Sequence, residues 1–308
     1  MRRRSAVPPA PLPQRRGVDP VRRRLPVEGD WVTVRDYLAD RLPVPSELVD
    51  AMFAEGAVHG TAGPLPADAP YLPGGYVWYH RELGPEVPVP FPVTVLYRDE
   101  RIVVADKPHF LAVTPRGRHV VETALSRLRD ELALPELSPA HRLDRLTAGL
   151  TLFVVRPEHR SAYQGLFAER RVTKEYRAVA PYDPALTLPR TVTGHLVKER
   201  GELTAREVPG EPNSRSVVEL LTHRDGLGGY RLLPETGKTH QLRVHLTMLG
   251  IPILHDPLYP EVLPETAPDD FRHPLQLLSH RLEFTDPVTG EPRRFESARR
   301  LSDWPSAD

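Results

Sequence analysis

Residues 141–155 read HRLDRLTAGLTLFVV. The last part, Leu150–Val155, is apolar without alternation, the pattern of a strand covered on both faces. Such a strand belongs inside a sheet layered by helices, and the neighbouring segments are read against it. Just before it, His141, Arg142 and Asp144 fall within four residues, at the mouth of the expected sheet. Arg142 and Arg145 flank the carboxylate, and nearby positive charge favours its ionised form. An ionised aspartate is a usable nucleophile or base. Taken alone, the segment is better explained as a salt bridge holding a loop.

Working outward, Val93–Tyr97 and Ile102–Val104 read as strands around the turn Arg98-Asp99-Glu100, and Val120–Leu132 as an amphipathic helix. Downstream come a helix at Ser161–Arg170 and a strand at Val172–Val179. Further strands follow at Thr191–Val197, Ser216–Thr222 and Tyr230–Leu233. The segment LLSHRLEFTDPVTGEPRRFES reads as two strands joined by an Asp-Pro…Gly turn. Many short strands with few helices predict an α+β fold with a large, mixed, mostly antiparallel sheet flanked by helices around a cleft.

Two more segments carry polar groups that packing does not require. In KEYRAV, 174–179, alternation puts Lys174, Tyr176 and Ala178 on one face. A ring beside a cation is a platform for a flat base, although a half-buried tyrosine with solvated charges explains the segment alone. In ETGKTHQLRVHL, 235–246, Thr236-Gly237-Lys238 forms a turn whose free N–H groups favour an anion, and Thr239 caps the helix that follows. On that helix His240 and Arg243 share a face, opposite Leu242, Leu246 and Leu249. That places Arg243 to leave the core and pair with a carboxylate elsewhere.

Composition narrows the classes. Lys+Arg and Asp+Glu both total 41 among 308 residues, so only local clustering could bind a polyanion. The absence of cysteine removes disulfides, thiolate nucleophiles and cysteine-ligated metal. Thirteen histidines are present, but their spacings match no HExxH-like pair. A metal is therefore not expected, nor is a nucleotide cofactor, for want of a glycine-rich loop. No apolar run reaches the roughly 18 residues that span a bilayer. The expectation is a cytoplasmic protein, monomeric by default. Only four lysines occur, Lys107, Lys174, Lys198 and Lys238, and two of them lie in the segments above.

The N-terminal third differs in character. Residues 1–24 carry eight arginines against one aspartate and little to bury, so 1–27 is expected to be a disordered basic tail. Residues 28–90 hold a helix at Val32–Leu42, a second starting near Pro45-Ser46 with Ser46 as cap, then short strands through Tyr79. The order resembles a small RNA-binding module shared with a ribosomal protein of the small subunit. GPEVPVPFP, 84–92, marks the boundary to a main domain spanning 91–305.

HRLDRLTAGL, KEYRAV and TGKTHQLRVH, in this order, resemble the motifs of the RluA-type pseudouridine synthases: HRLDxxTSGL, K-x-Y-x-A and GRxHQIRxH. The likeness extends to IVVADKP (102–108), GIPILHDPLY (250–259) and LSHRLEFTDPVTGE (278–291), covering roughly 93–296. Ala148, Lys238 and His255 stand where the family more often has serine, arginine and glycine. The resemblance implies an isomerase acting on ribosomal or transfer RNA without cofactor, with Asp144 as catalytic carboxylate, Arg243 as its partner and Tyr176 stacked on uracil. It implies RNA contacts from Arg142, Lys238 and His240. Phosphate contacts are expected from Lys238 and the pairs Arg170-Arg171 and Arg293-Arg294. The competing readings are a silent RNA-binding or assembly protein and a histidine-based metallohydrolase.

Overall fold

The computed structural model describes residues 8–81, 86–117 and 119–306. The chain divides into two units, Met1–Pro85 and Glu86–Asp308. Residues 1–7 of the arginine-rich segment, and Gly84 and Pro85 of the predicted boundary, lie outside the described residues.

The first unit contains β1 (Val21–Arg24), α1 (Val34–Arg41), α2 (Ser46–Ala54), β2 (Val58–Gly60), β3 (Gly63–Pro64) and β4 (Tyr76–Tyr79), with sheet order β1-β4-β2-β3. Helix α1 starts on a reciprocal cap: the Thr33 hydroxyl accepts from the Asp36 N–H, and the Asp36 carboxylate accepts from the Thr33 N–H. Tyr37, Leu38, Val49, Phe53, Val58 and Val77 are buried together beneath the helices. Two expectations are corrected. Strand β1 lies in the segment expected to be disordered. It pairs antiparallel with β4, and the Arg23 guanidinium donates to the Tyr79 hydroxyl at 2.8 Å. A sheet edge supplies partners for the backbone, so the segment orders without a large apolar stripe of its own. Ser46 is the first residue of α2, with Pro45 at the cap position.

The second unit is built on a sheet of 11 strands among the described residues. They are β5 (Thr94–Arg98), β6 (Ile102–Lys107), β7 (Ser138–Pro139), β8 (Ala148–Val154), β9 (Thr173–Pro181), β10 (Arg190–Val197), β11 (Arg206–Val208), β12 (Ser214–Arg224), β13 (Leu227–Pro234), β14 (Leu277–Thr285) and β15 (Pro292–Glu296). The order is β11-β10-β12-β13-β9-β14-β8-β6-β5, with β15 on β14 and β7 on β8. Every pairing is antiparallel except β8 with β14, so the sheet is mixed and mostly antiparallel as expected.

Helices α3 (Ala124–Glu131) and α4 (Arg160–Ala168) explain the unbroken apolar run in β8. Leu125 and Leu128 of α3 pack with Val103, Ala105 and Phe153, whereas Tyr163 and Leu166 of α4 pack with Ile102, Val104, Leu150 and Leu152. Covered from both sides, β6 and β8 are buried at every residue. Each such large apolar side chain contributes roughly 1.5–3 kcal/mol. Helix α5 (Gln241–Met248) lays Leu242 and Leu246 against Ala178, Val218 and Leu232, covering the β9-β13-β12 part of the sheet.

These layers converge where β8, β14 and β9 meet, Gly149 standing opposite Ser279 and Ser279 opposite Tyr176. Gly149 has φ +108°, and a Cβ there would lie 2.2 Å from the Ser279 carbonyl oxygen. Gly149→Ala is expected to destabilise the protein by roughly 2–4 kcal/mol through backbone strain and overpacking. Gly165→Ala within α4, where a Cβ meets nothing closer than 3.5 Å, should instead be neutral or stabilising by up to about 1 kcal/mol. Urea unfolding of both variants checks the contrast, and equal effects would contradict it.

Candidate active site

Asp144 sits in the loop that leads into β8, and that loop is held from several directions. Its Asp144 carbonyl accepts from the Thr147 N–H at 3.1 Å, closing a tight turn. The His141 ring stacks on Phe167 with centroids 4.1 Å apart, and its Nε2 accepts from the Leu152 N–H at 3.2 Å. Burial, reinforced by the charge of Lys174, pushes His141 down to about 3, so it anchors the loop as a neutral ring. Lys107, fully buried at the end of β6, donates to the carbonyls of Pro108, Leu111 and Arg145 at 2.9, 2.8 and 3.3 Å. Burial pushes its ammonium down to about 7, against the pull of Asp144. His109 Nδ1 donates to the Leu146 carbonyl at 2.7 Å, and Arg145 Nη1 donates to that of Phe110 at 3.3 Å. Two loops are thereby stitched together around the carboxylate. The Asp144 side chain remains 34% exposed and makes no hydrogen bond among the described residues.

The facing groups come from α5 and the turn after it. Arg243 Nη1 lies 3.7 Å and His240 Nε2 3.9 Å from the same oxygen, Asp144 Oδ2. Arg243 does not leave the core as expected: Gln241–Leu246 are all buried, and the Arg243 side chain is only 2% exposed. Its closest carboxylate is not Asp144 either. Nε and Nη2 donate to the two oxygens of Asp256 at 2.7 and 2.5 Å, and Asp256 Oδ1 also accepts from the Leu258 N–H. Burial opposes the charge, but the hydrogen bonds and charge of Asp256 hold the guanidinium above its ordinary range. Tyr259 completes this support. The Arg243 guanidinium lies 5.1 Å from the Tyr259 ring centroid, and the Tyr259 hydroxyl is 2.9 Å from His240 Nδ1.

The start of α5 differs from the expected cap. His240, not Thr239, takes the cap position, in a left-handed conformation with φ +55°. The Thr236-Gly237-Lys238 turn is not an open anion cradle, because the Gln241 side-chain oxygen accepts from the Lys238 N–H and the Thr236 hydroxyl at 3.0 and 2.7 Å. The Lys238 side chain is exposed.

Tyr176 is half-buried on β9, opposite Ser279. Burial pushes its phenol up to about 12, with the Asp144 charge adding in the same direction. Lys174 on the same face donates to the Thr236 carbonyl at 3.2 Å. Arg142 is exposed and has no partner among the described residues. Arg293 and Arg294, expected on phosphate, are engaged elsewhere: Arg293 pairs with Asp99, Asp286 and Glu291, and Arg294 with Glu283 and Glu296. Arg171 is likewise paired, with Glu169 at 2.8 Å.

Lys107, Asp256 and Tyr259 were not singled out from sequence, although all three fall in stretches that carry the resemblance. Lys107 had a usable signal, since lysine is rare in this chain. His255 has φ +60°, so a bulky residue holds the left-handed position that glycine takes without strain. That turn directs Asp256 onto Arg243. Among the described residues, no group of three His, Asp or Glu side chains is placed to hold a metal, and no helix is long and apolar enough to cross a membrane.

A family model described as RNA pseudouridylate synthase matches residues 101–248. A Chlorobaculum parvum protein named an uncharacterized RNA pseudouridine synthase is 32% identical over 244 residues, covering 70% of this chain and 72% of its own. The Haemophilus influenzae dual-specificity RNA pseudouridine synthase RluA is 28% identical over 218 residues, covering 66% of this chain and 91% of its own. The solved structure of human RNA pseudouridylate synthase domain containing 1 superposes with a TM-score of 0.54 at 23% identity, over 68% of this chain and 84% of that one, which shows the shared fold. Against human RPUSD2 and a yeast mitochondrial synthase, this chain spans only 31% and 37% of the relatives' length. The sequence likeness to relatives at about one-third identity, together with the family match over residues 101–248, shows that the chain belongs to the RluA-type RNA pseudouridine synthase family.

Proposed function

We propose that this protein isomerises a specific uridine in structured RNA to pseudouridine, with Asp144 as the reacting carboxylate. The observation that carries the reading is the Asp144 oxygen standing 3.7 Å from a guanidinium that Asp256 holds in place. The reaction breaks the bond from ribose C1′ to uracil N1 and forms one from C1′ to C5. The C5 proton is lost and N1 regains one, so the atoms balance without an oxidant.

Arg243 supports this chemistry by position. With two nitrogens bound to Asp256, it stabilises the Asp144 charge at short range without occupying its lone pairs. Asp144 is then free to add to C1′ or to remove a C2′ proton. Tyr176 supplies a ring on which the detached uracil stays captive, a stacking contact worth roughly 1–3 kcal/mol. Flipping the nucleotide costs a few kcal/mol and least in loops, which favours exposed loop uridines. Arg142, exposed and unpaired two residues before Asp144, is suited to fill the gap left by the flipped nucleotide, and Lys238 to contact phosphate. We read the first unit, with Arg22 and Arg24 exposed on β1, as an RNA-binding appendage.

We favour ribosomal RNA as the substrate, on account of that appendage. Transfer RNA is the second reading, since the yeast relative is named a tRNA pseudouridine synthase. Mapping pseudouridines in total RNA with and without the protein separates the two, and no protein-dependent site in either pool would overturn the proposal. Asp144→Asn and Asp144→Ala should abolish tritium release from [5-³H]uridine-labelled RNA while leaving thermal unfolding unchanged. Tyr176→Phe should retain most activity and Tyr176→Leu lose roughly ten-fold or more, as loss of one stacking contact implies. Asp256→Asn should lower kcat more than it raises KM, because it loosens Arg243 rather than touching RNA. Asp256→Ala strands a buried charge and should also destabilise the fold by about 3–5 kcal/mol.

A further inference from the structure

The contacts of the Tyr259 hydroxyl bear on which nitrogen of His240 carries the proton. It is 2.7 Å from the Ala205 N–H, 2.8 Å from the Ala205 carbonyl and 2.9 Å from His240 Nδ1. A phenol has one proton to donate and lone pairs with which to accept. The carbonyl can only accept, so the phenolic proton goes there. The Ala205 N–H can only donate, so the hydroxyl accepts from it. The remaining contact closes only if His240 Nδ1 is also a donor. Burial, opposed by the pull of Asp144, favours the neutral imidazole. Its proton therefore sits on Nδ1, and Nε2 presents a bare lone pair.

That lone pair faces Asp144 Oδ2 at 3.9 Å. Two acceptors oppose each other, too far apart to bond, with Arg243 Nη1 3.7 Å from the same Asp144 oxygen. Whatever occupies the space must bring an O–H or N–H. On the pseudouridine synthase reading, on which this inference rests, the group brought to Asp144 is the sugar around C1′. Within an RNA chain the 3′ and 5′ oxygens are phosphate esters and carry no proton. The 2′-hydroxyl is the one sugar group able to donate, and it is two bonds from C1′. The uracil N3–H lies on the far side of the base from the glycosidic bond.

We propose that His240 Nε2 accepts a hydrogen bond from the 2′-hydroxyl of the target nucleotide, making His240 the residue that selects ribose over deoxyribose. The arrangement has a chemical benefit. The hydroxyl proton is taken by imidazole, so the reacting Asp144 oxygen stays free. A 2′-deoxy nucleotide leaves the His240 Nε2 lone pair without its donor, which penalises it beyond the loss of one contact.

Two measurements test this. In ¹⁵N-histidine-labelled protein at pH 7, the His240 resonances, identified by their absence in His240→Asn, should show a protonated Nδ1 and an unprotonated Nε2. Tyr259→Phe should shift the population toward the Nε2–H tautomer. A protonated Nε2 in the wild type overturns the proposal. The second uses a stem-loop RNA carrying the uridine that mapping identifies, synthesised with either ribose or 2′-deoxyribose at that one position. Wild type should lose roughly 10- to 100-fold in kcat/KM on the deoxy substrate, the worth of one buried hydrogen bond. His240→Asn, which tolerates the left-handed backbone, should lose a similar factor on the ribose substrate and almost nothing more on the deoxy one. Independent, multiplying losses would refute the contact. If mapping yields no modified uridine, the isomerase reading fails, and the tautomer measurement still decides the proton position.

Discussion

A guanidinium buried against a carboxylate, Arg243 against Asp256, is the interaction on which the candidate site depends. Arg243 is held by Asp256 through two short hydrogen bonds, both side chains almost wholly removed from water. Such a pair gains little net stability, because desolvating two ions costs about as much as their attraction returns. Its value lies in position. With Nε and Nη2 engaged by Asp256, Arg243 presents Nη1 to Asp144 Oδ2 at 3.7 Å, close enough for charge to act and beyond a short hydrogen bond.

The support for that geometry is concentrated in one short turn. His255 takes a left-handed backbone, Asp256 clamps Arg243, and Tyr259 reaches both the guanidinium face and His240 Nδ1. On the other side, Lys107 and His109 tie their loop to the carbonyls of Arg145 and Leu146, fixing the loop that presents Asp144. Between the two, the close pairing of β8 and β14 at Gly149 sets how near Tyr176 can stand. Asp144 and its partners are thus positioned by hydrogen bonds and ring contacts from both sides.

Much of the fold was legible because it is written in local patterns. The uninterrupted run at 150–155 announced a strand covered on both faces, and α3 and α4 provide that cover. Helix α5 lays Leu242 and Leu246, the apolar positions its spacing indicated, against the sheet. The misreadings share a cause. The arginine-rich β1 has no apolar stripe, yet a neighbouring edge gives its backbone partners. Arg243 looked like a surface residue by helical spacing, because spacing cannot reveal that a second element closes over the polar face. Arg293 and Arg294 looked available for phosphate until the carboxylates of the same hairpin, and Asp99 for Arg293, appeared beside them.

The sequence by itself determined which chemistry was possible. Cysteine is absent, and three ordered motifs around Asp144, Tyr176 and Arg243 resembled those of the pseudouridine synthases, a resemblance that implies a carboxylate working on a flat base. It determined the α+β layering as well, since periodicity is local. Only the tertiary structure decided how charge is distributed in the site: that Arg243 belongs first to Asp256, that Lys107 is buried beneath the loop carrying Asp144, and that the Tyr259 hydroxyl stands beside His240 Nδ1. Electrostatic and hydrogen-bond partners are chosen by distances of a few ångströms between residues far apart in the chain, and no local pattern encodes those distances.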